Sequence, residues 1–392
     1  MKLPPVSVQD GYHGRDTIFS IFMFEGCEVK TLTDYLDNAR PSRIKSLESK
    51  GKDSPIEFDS SSCTDVIILL REVLSFSMLS MKPVVIRNFD FLNERIVAII
   101  GCAKQISSAR AYHENGSLYF IPKKISFSEK DFSYDRGVIS EMIQVVLPVM
   151  MFSPKNTILN FDGMTEYHKS IDFFSSSVLP FLVPFCDLEL NVLERGFIGE
   201  KPGKARLVIR PRFRFNKSIY DEEIKERYET VMQFCSRVRN SMKSVESHDK
   251  RFRSQSVRCM ICAPKSSMQQ IEDDLKRPID LVLRNLRIPA SIKVEYSSID
   301  SSNVSITLYS ILSGSGEIDF QKMGSFDILS KSIVINNLEK RNVTKLLQDV
   351  TSFCTDVQDD KHRYDDLQGE TGIYDILFGR RTSHMLDKFM GQ

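Results

Sequence analysis

Residues 156–213 read NTILNFDGMTEYHKSIDFFSSSVLPFLVPFCDLELNVLERGFIGEKPGKARLVIRPRF, and the periodicity within them decides the fold class. Thr157-Ile158-Leu159-Asn160-Phe161 alternates in polarity before the turn dipeptide Asp162-Gly163, which predicts a strand running into a loop. Ile171, Phe174, Val178 and Leu182 recur at three- and four-residue spacing. They therefore share one face of a helix that starts near Lys169 or Ser170 and ends at Pro184 and Phe185. Leu188-Glu189-Leu190-Asn191-Val192-Leu193 then alternates strictly, which needs the two-residue period of a half-buried strand. Gly196, Gly199, Pro202 and Gly203 break the chain, and Ala205-Arg206-Leu207-Val208-Ile209-Arg210 resumes the alternation as a hairpin partner. Strand, helix, strand, strand is the pattern of an α+β fold.

The pattern extends towards the N-terminus. Ile56-Glu57-Phe58 predicts a strand and Asp59-Ser60-Ser61-Ser62 a turn. A helix over 65–80 follows, with Val66, Leu69, Leu70, Val73, Phe76 and Leu79 at helical spacing, and Lys82-Pro83 stops it before a strand at Val84-Val85-Ile86. A helix over 93–109 leads to a strand over 116–122, with Lys123 and Lys124 beyond it. The helix expected over 137–152 carries Val146-Leu147-Pro148, and the same tripeptide returns as Val178-Leu179-Pro180. Each lies late in a helix flanked by strands, which predicts repeated strand-helix modules packing their helices on one sheet. A proline in a helix interior costs about 3 kcal/mol, so both helices should kink or end there.

Beyond Phe213 the pattern changes. Residues 221–243 form a charged helical stretch with Ile224, Tyr228, Val231, Met232, Cys235 and Val238 on one face, followed by the basic residues Lys250, Arg251, Arg253 and Arg258. A strand over 257–263, a helix over 267–286 and strands over 291–296 and 304–312 come next. Residues 328–338 and 344–354 read as helices, 357–370 as an acidic loop and 382–390 as a closing helix. In residues 1–55, Arg40, Arg43, Lys45, Lys50 and Lys52 form a basic cluster that reads as a solvated linker or as a nuclear or RNA-contacting patch.

A chain of 392 residues with 41% hydrophobic residues can build a real core, and its length accommodates two or more domains. A formal net charge of +1 points to no partner, so local asymmetry must carry any nucleic-acid argument. The eight cysteines are scattered. Cys259 and Cys262, the one close pair, lie in an apolar alternating run without a second pair, which favours reduced, buried strand thiols over a zinc site. No apolar run approaches the ~18 residues of a membrane span, so a soluble intracellular protein without membrane partners is expected.

The sharpest asymmetry is the hairpin over 195–214. Arg195, Lys201, Lys204, Arg206, Arg210, Arg212 and Arg214 stand there against Glu200 alone. An unbroken strand projects Arg206, Arg210, Arg212 and Arg214 from one face and Leu207, Ile209 and Phe213 from the other, with Pro211 disturbing the register. Guanidinium groups in a row suit phosphate oxygens, which accept paired hydrogen bonds. The alternative is a solvated face, or ion pairs to the acidic residues of 221–229.

Gly163, Thr165, Asp172, Val178-Leu179-Pro180-Phe181-Leu182, Phe185, Leu188-Glu189-Leu190, Arg195-Gly196 and Gly203 with its returning strand together resemble the RNA 3'-terminal phosphate cyclase superfamily. Within it the chain is most similar to the RNA-cyclase-like proteins of eukaryotic small-subunit ribosome assembly. The resemblance spans about residues 56–392 and is strongest over 116–213. It implies a cyclase-like large domain of repeated strand-helix modules at 56–212 and 318–392, a small inserted α/β domain at 213–317, and an N-terminal extension and linker at 1–55.

It also frames the chemistry. The cyclases carry a glutamate and a glycine triplet in the turn after the first strand, where bare backbone approaches the nucleotide phosphates. Here that turn holds Ser60-Ser61-Ser62-Cys63, whose Cβ atoms are a poor substitute. A histidine near the C-terminus is the cyclase nucleophile, and His384 sits near the corresponding place, but without the phosphate loop it reads more simply as a terminal-helix residue. Asp162, Asp172 and Glu189 are candidate carboxylates for a metal-assisted nuclease, and His113 and His168 read as loop residues without metal. The implied role is a non-catalytic, nucleolar component of the small-subunit processome with no cofactor. Its partners would be pre-rRNA or a small nucleolar ribonucleoprotein particle and a ribosome-assembly GTPase. An active cyclase or a pre-rRNA endonuclease is the alternative.

Overall fold

The computed structural model describes residues 55–61, 66–89, 92–167, 170–182, 186–197, 201–211, 257–297, 303–313, 326–335, 338–359 and 370–371. The first module comprises β1 (Ile56–Asp59), α1 (Val66–Ser80), β2 (Val84–Arg87), α2 (Glu94–Ser107), β3 (Arg110–Glu114) and β4 (Ser117–Ile121). The second comprises β5 (Lys130–Val138), α3 (Ile139–Met150), β6 (Thr157–Met164), α4, β7 (Cys186–Glu194) and β8 (Gly203–Pro211). Helix α4 is built from Ile171–Phe173, a π-helical turn Phe174–Val178, and Leu179–Leu182. The sheets run β1-β2-β4-β3 and β5-β6-β8-β7. In each the first two strands are parallel and joined by a helical crossover, and the last pair is an antiparallel hairpin.

The repeated unit is therefore the whole βαβαββ module. The two Val-Leu-Pro tripeptides mark the first and second helices of one module rather than two copies of it. Pro148 lies inside α3 close to its end at Met150, and Pro180 falls just after the π turn, so each proline sits where the regular helical ladder is already giving way. Helices α1, α2 and α3 pack together in one core shared by both modules, with Leu70, Phe76, Ile99, Ile143, Phe161 and Leu207 fully enclosed. Helix α3 is buried along its whole length because it meets both neighbouring helices and its own sheet.

A third sheet has the order β10-β9-β11-β12-β13, from β9 (Val257–Pro264), β10 (Ala290–Ser297), β11 (Val304–Ser313), β12 (Phe326–Ile335) and β13 (Glu370–Thr371). Helix α5 (Met268–Ile271, a π turn Glu272–Lys276, and Arg277–Asn285) and helix α6 (Lys340–Asp359) cover a separate core containing Ile261, Leu275, Leu283, Ile306 and Val350.

Several expectations change. Residues 328–338 do not form a helix: Phe326–Ile335 is a strand paired over its whole length with β11, a partner that a local reading cannot see. The third sheet consequently runs past the 317/318 boundary expected from sequence, through β12 to β13. Strands β3 and β5 are too polar to alternate cleanly, so no period announces them, and Gly137 and Val138 end β5 rather than open a helix. Residues 1–54, the stretch 221–243, and 372–392 with His384 lie outside the described residues. Among the described residues no helix is long and apolar enough to cross a membrane.

Candidate nucleic-acid interface

The turn after β1 is tied down by side chains. The Ser60 hydroxyl, 2% exposed, lies 2.6 Å from the Asn88 carbonyl and 3.0 Å from that of Arg87, while its N–H donates to the Arg87 carbonyl at 3.1 Å. The Ser61 N–H donates to Asp59 Oδ1 at 2.9 Å, and the Asn88 side-chain amide donates to the same oxygen at 2.9 Å. These two donors, Asn88 first, hold the Asp59 carboxyl below the usual carboxylate range. Two of the amides in this turn are therefore already engaged, and a carboxylate stands beside them. Ser62 and Cys63 lie outside the described residues.

Strand β8 has the two faces expected. Ala205, Leu207 and Ile209 are buried, whereas Lys204 and Arg206 are exposed and Arg210 is half-buried. The outward row faces acids across the hairpin. Lys204 Nζ lies 3.1 Å from Glu194, and Arg210 reaches Asp187 at 3.3 Å and Glu189 at 3.0 Å. The antiparallel register sets this company: Asp187 is directly opposite Arg210 and Glu194 opposite Lys204. The Asn191 amide and then Arg210 hold the Glu189 carboxyl below its usual range. Among the described residues these ion pairs come from β7; residues 221–229 lie outside the described residues. Lys201 is exposed ahead of the strand, and Arg212 and Arg214 lie outside the described residues.

Arg195 leaves the phosphate-facing set. Its side chain is 4% exposed and paired with Glu166 at 2.7 Å, Asp172 at 2.7 and 2.9 Å, and Glu295 of β10 at 2.9 Å. Ser305 of β11 donates to the other Glu166 oxygen at 2.6 Å, and the hydroxyls of Ser170 and Thr307 meet at 2.6 Å, so the cluster joins the second module to the third sheet. Burial pulls the Arg195 pKa down, but Asp172 and Glu166 more than compensate and keep it charged. Glu166, fully buried and sharing this one cation with Asp172, has its carboxyl pushed above the usual range, by burial first. Asp172 is buried and held in that ion pair. Glu166, Ser305 and Glu295 escaped the sequence reading, because nothing in their local pattern announces that the first two are buried or that the half-exposed Glu295 reaches Arg195.

The neighbouring backbone explains the motif glycines. Thr165 and Glu166 both donate their N–H to the Gly196 carbonyl, and Gly196 N–H donates to the Thr165 hydroxyl at 3.0 Å. A Cβ on Gly196 would fall 2.1 Å from the Gly203 nitrogen, and one on Gly203 2.5 Å from the Gly196 nitrogen, so the base of the hairpin closes only with glycine on both sides.

The remaining candidates resolve simply. Cys259 and Cys262 are buried free thiols, and burial pushes Cys259 up to about 12. His113 lies in β3 rather than a loop, with Nε2 donating to the Phe89 carbonyl at 2.7 Å. Among the described residues, no three His, Cys, Asp or Glu side chains come together to hold a metal ion. His168 and His384 lie outside the described residues.

Two βαβαββ modules around one core, joined through a buried arginine to a third sheet, define an α+β protein of the cyclase-like class. The family model for RNA 3'-terminal phosphate cyclase matches residues 67–336, well over half of the chain, and the chain belongs to that family. The matched segment starts beyond the serine turn. No curated protein matches the chain significantly.

Proposed function

We propose that this protein is a non-catalytic RNA-cyclase-like factor of the small-subunit processome. It works in the nucleolus, supports pre-rRNA processing and small ribosomal subunit biogenesis, and acts as a scaffold that holds pre-rRNA or a small nucleolar ribonucleoprotein particle together with a ribosome-assembly GTPase. The observation that carries the proposal is the start of the turn after β1, where Asp59 takes the Ser61 amide and Ser60 is bonded to the turn after β2. A nucleotide's phosphates need free N–H groups and a site without negative charge. Here the carboxylate would meet the phosphates head-on, a like-charge contact in place of a cradle. In this reading the RNA contacts on the hairpin come from Lys201 and Arg206, which are exposed and form no ion pair among the described residues, while Lys204 and Arg210 are held by acids of β7.

Incubation of the full-length protein with radiolabelled ATP tests the claim. The expected result is no covalent nucleotide adduct. A labelled adduct that disappears in His384→Ala would overturn the proposal in favour of an active cyclase, and metal-dependent cleavage of pre-rRNA would overturn it in favour of an endonuclease. Sedimentation of extracts from the protein's own cells should find it with pre-ribosomal particles.

A further inference from the structure

A second basic surface lies where the C-terminus of α2 meets the exit of β4. Helix α2 ends at Ser107, and Ser108 turns the chain with a left-handed backbone, φ 47°. The Ser107 carbonyl accepts the N–H groups of both Lys123 and Lys124, at 3.0 and 2.9 Å, and Ser126 N–H donates to the Ile106 carbonyl at 2.8 Å. The Lys104 carbonyl accepts the Ala109 N–H at 3.1 Å, and Arg110 starts β3 directly opposite Ile121 of β4. Lys104, Arg110, Lys123 and Lys124 are thereby gathered around one turn. Pro122 and Ile125 are buried on either side of the lysine pair, which forces Lys123 and Lys124 outward.

The company of these cations differs from that on β8. Across residues 104–126 the sequence has a single acid, Glu114, at the far end of β3. Arg110, Lys123 and Lys124 form no ion pair among the described residues, whereas Lys204 and Arg210 both do. A cation already neutralised by a carboxylate has little left to offer a phosphate. An unneutralised one releases condensed counterions from the nucleic acid when it binds. Ser108 is exposed at the same turn and adds an uncharged donor of the kind that fixes register on a phosphate backbone.

We infer that this turn is an RNA-binding knob, with Arg110, Lys123 and Lys124 as its phosphate contacts and Lys104 at its rim. The inference rests on the proposed RNA-holding role and gives that role a specific surface. Because the backbone hydrogen bonds hold the lysines in place, binding orders only their side chains.

The test compares the full-length protein with Lys123→Glu/Lys124→Glu on a labelled stem-loop RNA over a range of salt concentrations, with circular dichroism to verify folding. Lys204→Glu/Arg210→Glu, which removes two acid-paired cations, serves as the comparison on β8. Lys123→Glu/Lys124→Glu should bind at least about tenfold more weakly, with a salt slope shallower by about 1.5, because each phosphate contact contributes about 0.7 to 0.9. The β8 variant should show the smaller loss. If the wild-type protein binds no RNA even at low salt, the RNA-holding role falls and this inference with it. If the wild type binds and the folded Lys123→Glu/Lys124→Glu variant matches it in affinity and slope, the knob is overturned while the role stands. Retained RNA binding with loss of a protein partner would make the knob a protein-docking surface and overturn the inference as well.

Discussion

The β7–β8 hairpin and the α2–β4 turn are both basic in sequence, yet they keep different company in space. On the hairpin each of Lys204 and Arg210 faces an acid one strand away, and Arg195 is enclosed by three carboxylates. At the α2–β4 turn Arg110, Lys123 and Lys124 have no carboxylate in ion-pairing reach among the described residues. Counting basic residues along the chain ranks the hairpin first. Counting those without an ion pair among the described residues reverses the order. The difference arises from register: strand pairing sets Asp187 and Glu194 opposite basic residues, whereas the α2–β4 turn is closed by backbone hydrogen bonds and brings no acids with it.

The largest effect expected on the hairpin concerns folding, not RNA. Arg195→Ala should cost about 3–5 kcal/mol, because Glu166 and Asp172 would be left buried without their cation. Urea unfolding of the variant measures this, and a loss below about 1 kcal/mol would show that the cluster contributes little and that the hairpin and the turn differ less than their surroundings suggest. A smaller effect sharpens the comparison directly. Asp187→Asn combined with Glu189→Gln removes the acids that hold Arg210, so RNA affinity should rise several-fold and its salt slope steepen by about 0.7 to 0.9, one further phosphate contact. Unchanged binding would mean that RNA does not touch β8.

The smallest effect is a pH dependence. Glu166 has a raised pKa in the folded chain, so the folded state keeps its proton over a range in which the unfolded chain has lost it. Its contribution to stability is full below the ordinary glutamate value and declines as pH rises through the folded value. Thermal unfolding from mildly acidic to neutral pH should therefore show a downward slope from this residue. Glu166→Gln, whose amide oxygen can still accept from Arg195, should flatten that slope. An identical pH profile in the variant would remove Glu166 as its source.

How much of this was legible in the sequence depends on how local the cause is. The order β6, α4, β7, β8 could be read because Ile171, Phe174, Val178 and Leu182 on one side, and Leu188 to Leu193 on the other, carry their own periods. Strand β12 could not, although Ile333-Val334-Ile335 is a β-branched run, because the pairing with β11 that makes it a strand is not local. The β7 acids offered a usable signal: once 188–193 and 205–210 were read as a hairpin, Asp187 and Glu189 had to lie near Arg210. Arg195 gave none. It follows the hairpin strand between Glu194 and Gly196, where a cation normally faces solvent, and the partners that enclose it are Glu166, Asp172 and, in a sheet that begins far along the chain, Glu295.

The placement of Arg195 also has a mechanical consequence. One guanidinium grips residues from the second module and from β10, so sliding the third sheet away would strip the shared cation from several carboxylates in a single step. Resistance of that kind is abrupt rather than gradual. A tug on either side would reach the other undiminished until the grip gives way all at once.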